Sequence, residues 1–212
     1  PYEPIKHMGI ESVHPTILGY KDSVSLGLKM NFTDPIRLRM LNIGAAYSFD
    51  SDLPSDERPN IHIDYRHAVV RNSPLSGSWR LGASLNRADF YDLFGPTKQS
   101  RKGYRYYVGY EKTLIFDEPR RLEFETELNH YIDIDALPRY QNVPASISKL
   151  TTYDARLGFS HMKKSLGAVT EEKGFRWNIA TSVNYVDSDT IPKLAGNFDF
   201  GFALPIKNSS IW

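Results

Sequence analysis

Leu122-Glu-Phe-Glu-Thr-Glu-Leu-Asn-His-Tyr-Ile-Asp-Ile134 is the stretch that decides the fold of this chain. Apolar residues or Thr occupy the even positions from 122 to 128, and Ile returns at 132 and 134 after His130. The odd positions carry Glu, Asn, Tyr and Asp. Because successive side chains of a strand point to opposite faces, the segment predicts a strand with one apolar and one acidic face. At about 3.3 Å per residue it would extend for about 40 Å, whereas ordinary globular strands have about 5–6 residues.

The same alternation recurs along most of the chain. Apolar residues share one face in the runs 23–32, 41–49, 61–65, 79–85, 104–116, 153–159, 177–185 and 194–204, and a weaker run covers 10–18. Leu38 and Met40 are out of phase with the run that follows them, which predicts a β-bulge near Met40. No segment has a helical period and no motif repeats at a fixed spacing, which disfavours a propeller or solenoid. The pattern predicts an all-β, antiparallel chain of about nine or ten strands.

Bulk composition narrows the class of protein. The 212 residues include 13 Tyr, 11 Phe and 3 Trp, enough for a single domain that covers residues 1–212. The net charge of +1 gives no field that would recruit nucleic acid. Cysteine is absent, which excludes disulfides, thiolate catalysis and Cys-ligated zinc. No apolar run reaches the roughly 18 residues that a membrane helix needs.

The connections between the runs vary in length in a systematic way. Residues 33–36 and 117–120 form short turns, whereas the connections 50–59, 88–102 and 135–148 are long and polar. Alternating short and long connections are typical of an up-and-down outer-membrane β-barrel, although the long connection 162–174 departs from the rule. The chain starts at Pro without an initiator Met and ends as if another element were beginning, so we expect it to be part of a larger barrel.

Alternation alone does not tell which face meets water, because a soluble barrel has its apolar face inside. Three features favour the inverse arrangement: long strands, a polar face of mixed small and charged residues, and aromatic residues near strand ends. Lys112 is an exception in an apolar row, and either its side chain extends to an interface or a bulge turns it inward. The lumen-facing set is expected to include Arg80, Glu123, Glu125, Glu127, Arg156 and Arg176. The lipid-facing set is expected to include Leu122, Phe124, Leu128, Leu157, Phe159, Phe200 and Phe202.

Few residues suggest chemistry. His62, Asp64 and Arg66 share one face, but two metal ligands are too few for a closed site, so a lumen hydrogen-bond network is the better interpretation. Ser160 and His161 are adjacent and must point to opposite faces, so they cannot form a nucleophile–base pair.

Two further catalytic hypotheses have little support. His130 could partner a Ser from another strand, as in a membrane phospholipase, but nothing selects such a residue. The three glutamates of the opening stretch could act as glycosidase carboxylates. We instead expect them to be balanced by arginines of other strands, namely Arg80, Arg105, Arg156 or Arg176. The sequence therefore assigns no catalytic residue, no cofactor and no metal, and we expect that the protein is not an enzyme.

Several loop phrases carry a resemblance. They are Ala88–Lys98, Gly19–Ser23, Asn31–Pro35 and Ser51–Glu57. With them the chain resembles the C-terminal barrel region of large Gram-negative outer-membrane proteins that have an N-terminal Tol-type propeller, and through them the bacterial surface-antigen superfamily. That superfamily has an Arg-Gly-aromatic tip on an inward loop. Ser100–Tyr104 approximates this tip with a lysine inserted, so no functional residue is transferred.

The residues and the resemblance together predict a transmembrane β-barrel in the outer membrane. It would serve as membrane anchor and conduit of a larger protein, in translocation or assembly across that membrane. Its expected partners are membrane lipid and a periplasmic domain of the same chain, with no nucleic acid. The alternative is a soluble antiparallel β-barrel that binds a lipophilic ligand.

Overall fold

A computed structural model describes residues 2–20, 23–70, 75–86, 90–91, 99–100, 103–134, 148–164, 171–186, 189–204 and 210–211. A four-residue 3-10 helix, Pro4–His7, precedes the first strand. Ten long strands follow: β1 (Gly9–Tyr20), β2 (Ser23–Thr33), β3 (Arg39–Ser48), β4 (Pro59–Val69), β5 (Gly77–Leu85), β8 (Tyr104–Asp117), β9 (Arg120–Ile132), β10 (Lys149–Lys163), β11 (Lys173–Val186) and β12 (Asp189–Ala203). Three two-residue strands complete the set: β6 (Phe90–Tyr91), β7 (Gln99–Ser100) and β13 (Ser210–Ile211).

The long strands form one antiparallel meander. Each pairs with the next one along the chain, in the order β1-β2-β3-β4-β5-β8-β9-β10-β11-β12-β13, and β6 pairs with β7 outside this sheet. The predicted all-β, antiparallel, up-and-down fold of about ten strands is confirmed. Among the described residues no pairing joins β1 to β12 or β13. In the same part of the chain, no helix is long and apolar enough to cross a membrane.

The strand register aligns polar with polar and apolar with apolar positions of neighbouring strands, so the alternation seen in residues 122–134 extends across the whole sheet. Glu125 in β9 lies opposite Glu111 in β8 and Arg156 in β10, and Arg156 lies opposite Ala180 in β11. Phe124, on the other side of β9, lies opposite Leu157. The result is one continuous polar face and one continuous apolar face. The polar face holds Arg80, Glu123, Glu125, Glu127, Arg156 and Arg176, and the apolar face holds Leu122, Phe124, Leu128, Leu157, Phe159, Phe200 and Phe202.

The connections fall at two rims. The proximal rim, where β1 begins, holds the connections 34–38, 70–76, 118–119, 164–172 and 204–209. The distal rim holds 21–22, 49–58, 86–103, 133–148 and 187–188. The longest connections are all distal, as the sequence indicates. Two distal connections have two residues each, so the distal rim combines the longest connections with two of the shortest.

The strands are staggered along the sheet. The row of register partners that starts at Phe32, four residues on the proximal side of the centre of β2, reaches Pro192 after eight pairings. Pro192 lies four residues on the distal side of the centre of β12. A drift of eight residues over eight pairings corresponds to a tilt of about 35°, with about 3.3 Å per residue and about 4.8 Å between strands.

Burial in this sheet is the reverse of burial in a water-soluble protein. Buried positions are mostly small or polar, among them Ser25, Ser48, His62, Ser78, Asn129 and Asn184. Large apolar side chains are exposed, with Leu194 at 78 % and Ile17 at 71 %. Among the described residues, the one cluster of buried apolar side chains lies near the distal rim and consists of Tyr131, Ile134, Leu150 and Val186.

The structure corrects the predicted position of a β-bulge. The register of β3 is continuous on both sides, and Met40 lies opposite Arg66 on the polar face, so there is no bulge at Met40. Register shifts occur instead between Ile10 and Ser12 in β1 and between Thr113 and Ile115 in β8. The second shift follows Lys112, which lies opposite Phe124 on the apolar face and is therefore not turned inward.

Candidate functional site

The polar face is concave. A cavity of about 910 Å³ is lined mainly by polar-face residues of seven strands, from Arg66 in β4 to Asp199 in β12. A second cavity, of about 510 Å³, lies against β5, β9, β10, β11 and β12. Because seven strands are about 29 Å across at a spacing of about 4.8 Å, a single cavity can contact all of them only if the sheet curves around it.

Each of the three glutamates of β9 is paired with an arginine. Arg80 Nη2 lies 2.8 Å from Glu125 Oε1 and 3.5 Å from Glu127 Oε2, and so bridges two acids. Arg105 Nη2 lies 3.1 Å from Glu127 Oε1. Glu123 pairs with Arg121 of its own strand at 2.5 Å. The predicted balance of acids by arginines is therefore present for Arg80 and Arg105.

The other two predicted arginines behave differently. Arg176 Nε donates to Asp199 Oδ2 at 2.7 Å rather than to a glutamate of β9. Arg156 faces Glu125 in the register and borders both cavities, yet its side chain makes no hydrogen bond or ion pair with the described residues. Lys193, which borders the smaller cavity, likewise has no ion pair with that part of the chain.

A hydrogen bond crosses a whole strand on this face. The Tyr107 hydroxyl in β8 donates to Asp64 Oδ1 in β4 at 2.8 Å, and the tyrosine ring passes over Gly82 of the intervening strand β5. A Cβ atom at Gly82 would lie 2.2 Å from Tyr107 Cε1, so glycine is required there. Arg66 donates to Ser78 Oγ at 2.6 Å and pairs with Glu111 at 2.5 Å. Of the three residues predicted to form a network, Asp64 and Arg66 make hydrogen bonds on this face, and His62 is buried beside Gly44.

The apolar face has its charged and His side chains near the rims. In the described residues they lie within five residues of a strand end: Arg39, His67, Lys112, Asp117, Arg120, His161, Lys163 and Lys173 near the proximal rim, and His130 and Lys149 near the distal rim. We call the uncharged zone between them the apolar belt. Two hydroxyls within it, those of Thr126 and Thr181, donate to the backbone carbonyl oxygens of Asp154 and Lys193 at 2.9 and 3.2 Å.

Aromatic side chains border the apolar belt on both sides. On the proximal side Phe175 lies 5.6 Å from Phe159 and 6.4 Å from Phe198 between ring centroids, and Phe159 stacks on Trp177 at 5.9 Å. On the distal side the rings are tyrosines: Tyr47, Tyr104, Tyr106, Tyr153 and Tyr185. The proximal border thus contains Phe and Trp together with Tyr110, whose hydroxyl donates to the carbonyl oxygen of Ser76 at 2.6 Å, and the distal border is rich in Tyr.

Two buried polar residues secure the rims. Asp34 is fully buried in the proximal turn and accepts from the backbone N–H of Arg39, at 2.5 Å, and from the Tyr2 hydroxyl, at 2.8 Å. Burial acts to raise the pKa of Asp34, but these donors outweigh it and hold that pKa below its ordinary value. At the distal rim the Asn86 side chain donates to the carbonyls of Asp56 and Pro59 and accepts from the N–H of Gly103.

The catalytic hypotheses gain no supporting geometry. Ser160 lies on the polar face and His161 on the apolar face, as predicted. His130 Nδ1 lies 2.8 Å from Thr151 Oγ1 on the apolar face, so its partner is a threonine and not a serine. Among the residues that the structure describes, no three His, Asp or Glu side chains are grouped to hold a metal ion.

Of the four loop phrases behind the resemblance, Asn31–Pro35 and Ser51–Glu57 lie wholly among the described residues, and Gly19–Ser23 and Ala88–Lys98 lie there in part. Of Ala88–Lys98 the structure describes Phe90–Tyr91, which pairs with Gln99–Ser100 as the hairpin β6–β7. Comparisons with protein-family models, with curated proteins and with solved structures gave no match to this chain.

Proposed function

We propose that this protein is a transmembrane β-barrel of an outer membrane, with the apolar belt against lipid and the polar face around a hydrated lumen. The single observation that carries the proposal is the inverted surface, in which the concave face bears the charges and the other face bears exposed apolar side chains. In water such a surface would be strongly unfavourable, because exposed apolar area costs about 25 cal/mol per Å². In hydrocarbon the same surface is the favourable one.

The geometry of the sheet supports the proposal independently. A strand tilt of about 35° falls in the range of about 35–45° for transmembrane barrels. Charges on the lipid side are confined to the rims, and the hydroxyls of Thr126 and Thr181 are bonded to backbone carbonyls, as a medium without water requires. Aromatic residues border the belt on both sides, where amphipathic rings are favoured.

The same observations argue against a soluble barrel that binds a lipophilic ligand. That protein would need its cavity on the apolar face. Both cavities instead lie on the polar face, and charged groups such as Arg156 and Glu125 line them.

In this proposal the proximal rim faces the periplasm, because outer-membrane barrels have their longer loops outside. The polar lumen suits a membrane anchor and conduit for a larger protein of the surface-antigen superfamily that acts in translocation or assembly. No reaction is assigned to it.

Site-directed spin labelling tests the assignment of the two faces. The chain has no cysteine, so Arg156→Cys and Leu157→Cys each introduce a single attachment point at the middle of β10 without removing a hydrogen bond. In lipid vesicles the label at 157 should be relaxed more by oxygen, which concentrates in hydrocarbon, and the label at 156 more by a water-soluble nickel complex. Equal accessibility to nickel at both positions would sink the proposal.

Mobility on gels before and after boiling is the matching test for a folded barrel. The detergent-folded protein should run as a compact band that shifts on heating. A chain that stays soluble without detergent and does not shift would also contradict the proposal.

A further inference from the structure

We infer that the apolar face at the proximal rim of β10 and β11 binds the headgroup of an anionic diacyl phospholipid. This inference rests on the proposed function, because a lipid can occupy the site only if the apolar belt lies in a bilayer. It goes beyond that function by naming a lipid class and the residues that select it.

Two lysines form the centre of the site. Lys163, the last residue of β10, and Lys173, the first of β11, are direct register partners on the apolar face. Both are exposed, and neither makes an ion pair or a side-chain hydrogen bond with the described residues. Like charges directly opposite each other in a sheet are destabilising, so an anion between the two ammonium groups removes a repulsion as well as adding an attraction.

The charged groups around the two lysines do not form ion pairs with them. Arg120 and His161 form the next cross-strand pair toward the apolar belt, and Arg120 is already paired with Asp117. The acids of the 164–172 connection nearest to the site are Glu171, which is exposed, and Glu172, which is buried. Neither of these acids pairs with Lys163 or Lys173, so the two lysines present two ammonium groups at the rim without a bonded acid among the described residues.

The aromatic cluster next to the lysines suits the acyl part of the same lipid. Phe175 follows Lys173 by two residues on the same face and contacts His161, Phe159 and Phe198. Long cationic side chains at a rim reach the phosphate level while their alkyl stems cover apolar surface. A phosphodiester between Lys163 and Lys173 would leave the two acyl chains against Phe175 and Phe159.

Quenching of Trp177 by brominated lipids tests the inference, because Trp177 stacks on Phe159 inside the cluster. The full chain with Trp79→Phe and Trp212→Phe keeps Trp177 as its one tryptophan. It is reconstituted in phosphatidylcholine vesicles that contain either dibrominated phosphatidylglycerol or dibrominated phosphatidylcholine. The expected affinity ratio is about 30 in favour of phosphatidylglycerol, since each of the two lysines contributes about 1 kcal/mol near an anionic surface.

Lysine-to-glutamine variants distinguish lipid binding at this site from non-specific attraction of anionic lipid to basic residues. Lys163→Gln with Lys173→Gln should bring the ratio close to one. Lys149→Gln, the matched change on the same face at the distal rim, should leave it unchanged. A ratio near one in the parent, or equal losses in both variants, would overturn the lipid site while the heat-shifted band and the quenching by both lipids still support the barrel. Absence of quenching by either lipid together with absence of the heat shift would overturn the barrel, and the lipid site with it.

Discussion

At the scale of single residues, the two faces of β9 respond to substitution in opposite ways. Leu128 lies in the apolar belt between Val108 and Tyr153 and is 42 % exposed, whereas Glu125 pairs with Arg80 on the polar face. Leu128→Arg should destabilise the folded protein in lipid vesicles by about 2–4 kcal/mol, the cost of a cation on a lipid face near the midplane.

Glu125→Gln is the control on the opposite face of the same strand. It weakens one partly exposed ion pair, which is worth about 1 kcal/mol or less. Urea unfolding in vesicles measures both changes. If the two variants unfold at the same urea concentration, the assignment of faces is wrong.

Asp34 gives a pH dependence of stability. Because its carboxyl has a lowered pKa in the folded protein, the stabilisation is complete above the ordinary Asp pKa of 3.8 and is lost as pH falls through the lowered folded value. Asp34→Asn should therefore reduce the free energy of unfolding by about 1–3 kcal/mol at pH 7, since it weakens charged hydrogen bonds to buried donors. Urea unfolding at pH 7 and at pH 2.5, about one unit below the ordinary pKa, should show a smaller difference in acid.

Asp52→Asn is the control for this prediction, because Asp52 is exposed in the 49–58 connection and its carboxylate has no hydrogen-bond partner among the described residues. It should leave stability unchanged at both pH values. A difference between wild type and Asp34→Asn that grows in acid would contradict the assigned sign.

At the scale of the strand, the side chain of one strand can lie so close to the backbone of its neighbour that only glycine fits there. Gly82→Val should destabilise β5 by about 1–3 kcal/mol, because the added atoms overlap the Tyr107 ring and displace its hydroxyl from Asp64. Gly158→Ala in β10 is the matched change, since its nearest neighbour would be Asn178 Cβ at 3.9 Å. Thermal loss of the compact gel band compares the two, and equal midpoints would show that Tyr107 does not depend on the space above Gly82.

The strands themselves are largely readable from the sequence, because a period of two repeats over 9 to 15 residues in each long strand. The predicted bulge near Met40 was wrong. Leu38 lies in the turn before β3 and Met40 lies on the polar face, and without the register these two apolar residues give the same sequence pattern as a bulge. The register shift in β8, in contrast, gives no signal in the sequence. Leu114 and Ile115 are both apolar, so the sequence around the shift gives no change of pattern to detect.

The ion pairs and hydrogen bonds of the polar face are harder to predict from the sequence than the strands, for a physical reason. Alternation determines that Arg80, Arg156 and Arg176 share a face, but pairing depends on register and on the reach of long side chains across strands. Arg156 is directly opposite Glu125, yet Arg80 from two strands away takes that carboxylate. The Tyr107–Asp64 bond likewise joins residues 43 apart, and its one sequence signal is the glycine between them.

At the scale of the whole molecule, the charges of the polar face are balanced. The register places on it the bases Lys29, Arg66, Arg80, Arg105, Arg121, Arg156, Arg176 and Lys193 and the acids Asp64, Glu111, Glu123, Glu125, Glu127, Asp154, Asp189 and Asp199. A lumen of this composition should conduct small cations and anions with little preference, because opposite fields cancel over a few ångströms.

Removing two acids should therefore shift the ion preference. Glu125→Gln with Glu127→Gln leaves an excess of positive charge and should move the reversal potential in planar bilayers toward that of chloride. Glu118→Gln with Glu171→Gln, two exposed acids of proximal turns, should have a smaller effect. No conductance in the parent protein would contradict the role as a conduit, and an unchanged reversal potential would contradict the location of the two glutamates.

Because the strands are staggered, two residues in the same row of register partners can lie at different distances from the proximal rim. Phe32 and Pro192 belong to one row of register partners, yet one lies near the proximal end of its strand and the other near the distal end. In the proposed bilayer orientation, each step to the next strand therefore changes the depth in the membrane by about 3 Å on average. A scan of substitutions ordered by hydrogen-bonded partners would mix rim and midplane positions, and its energies would look scattered. Ordered by depth instead, the same energies should fall on a single curve that peaks at the bilayer centre.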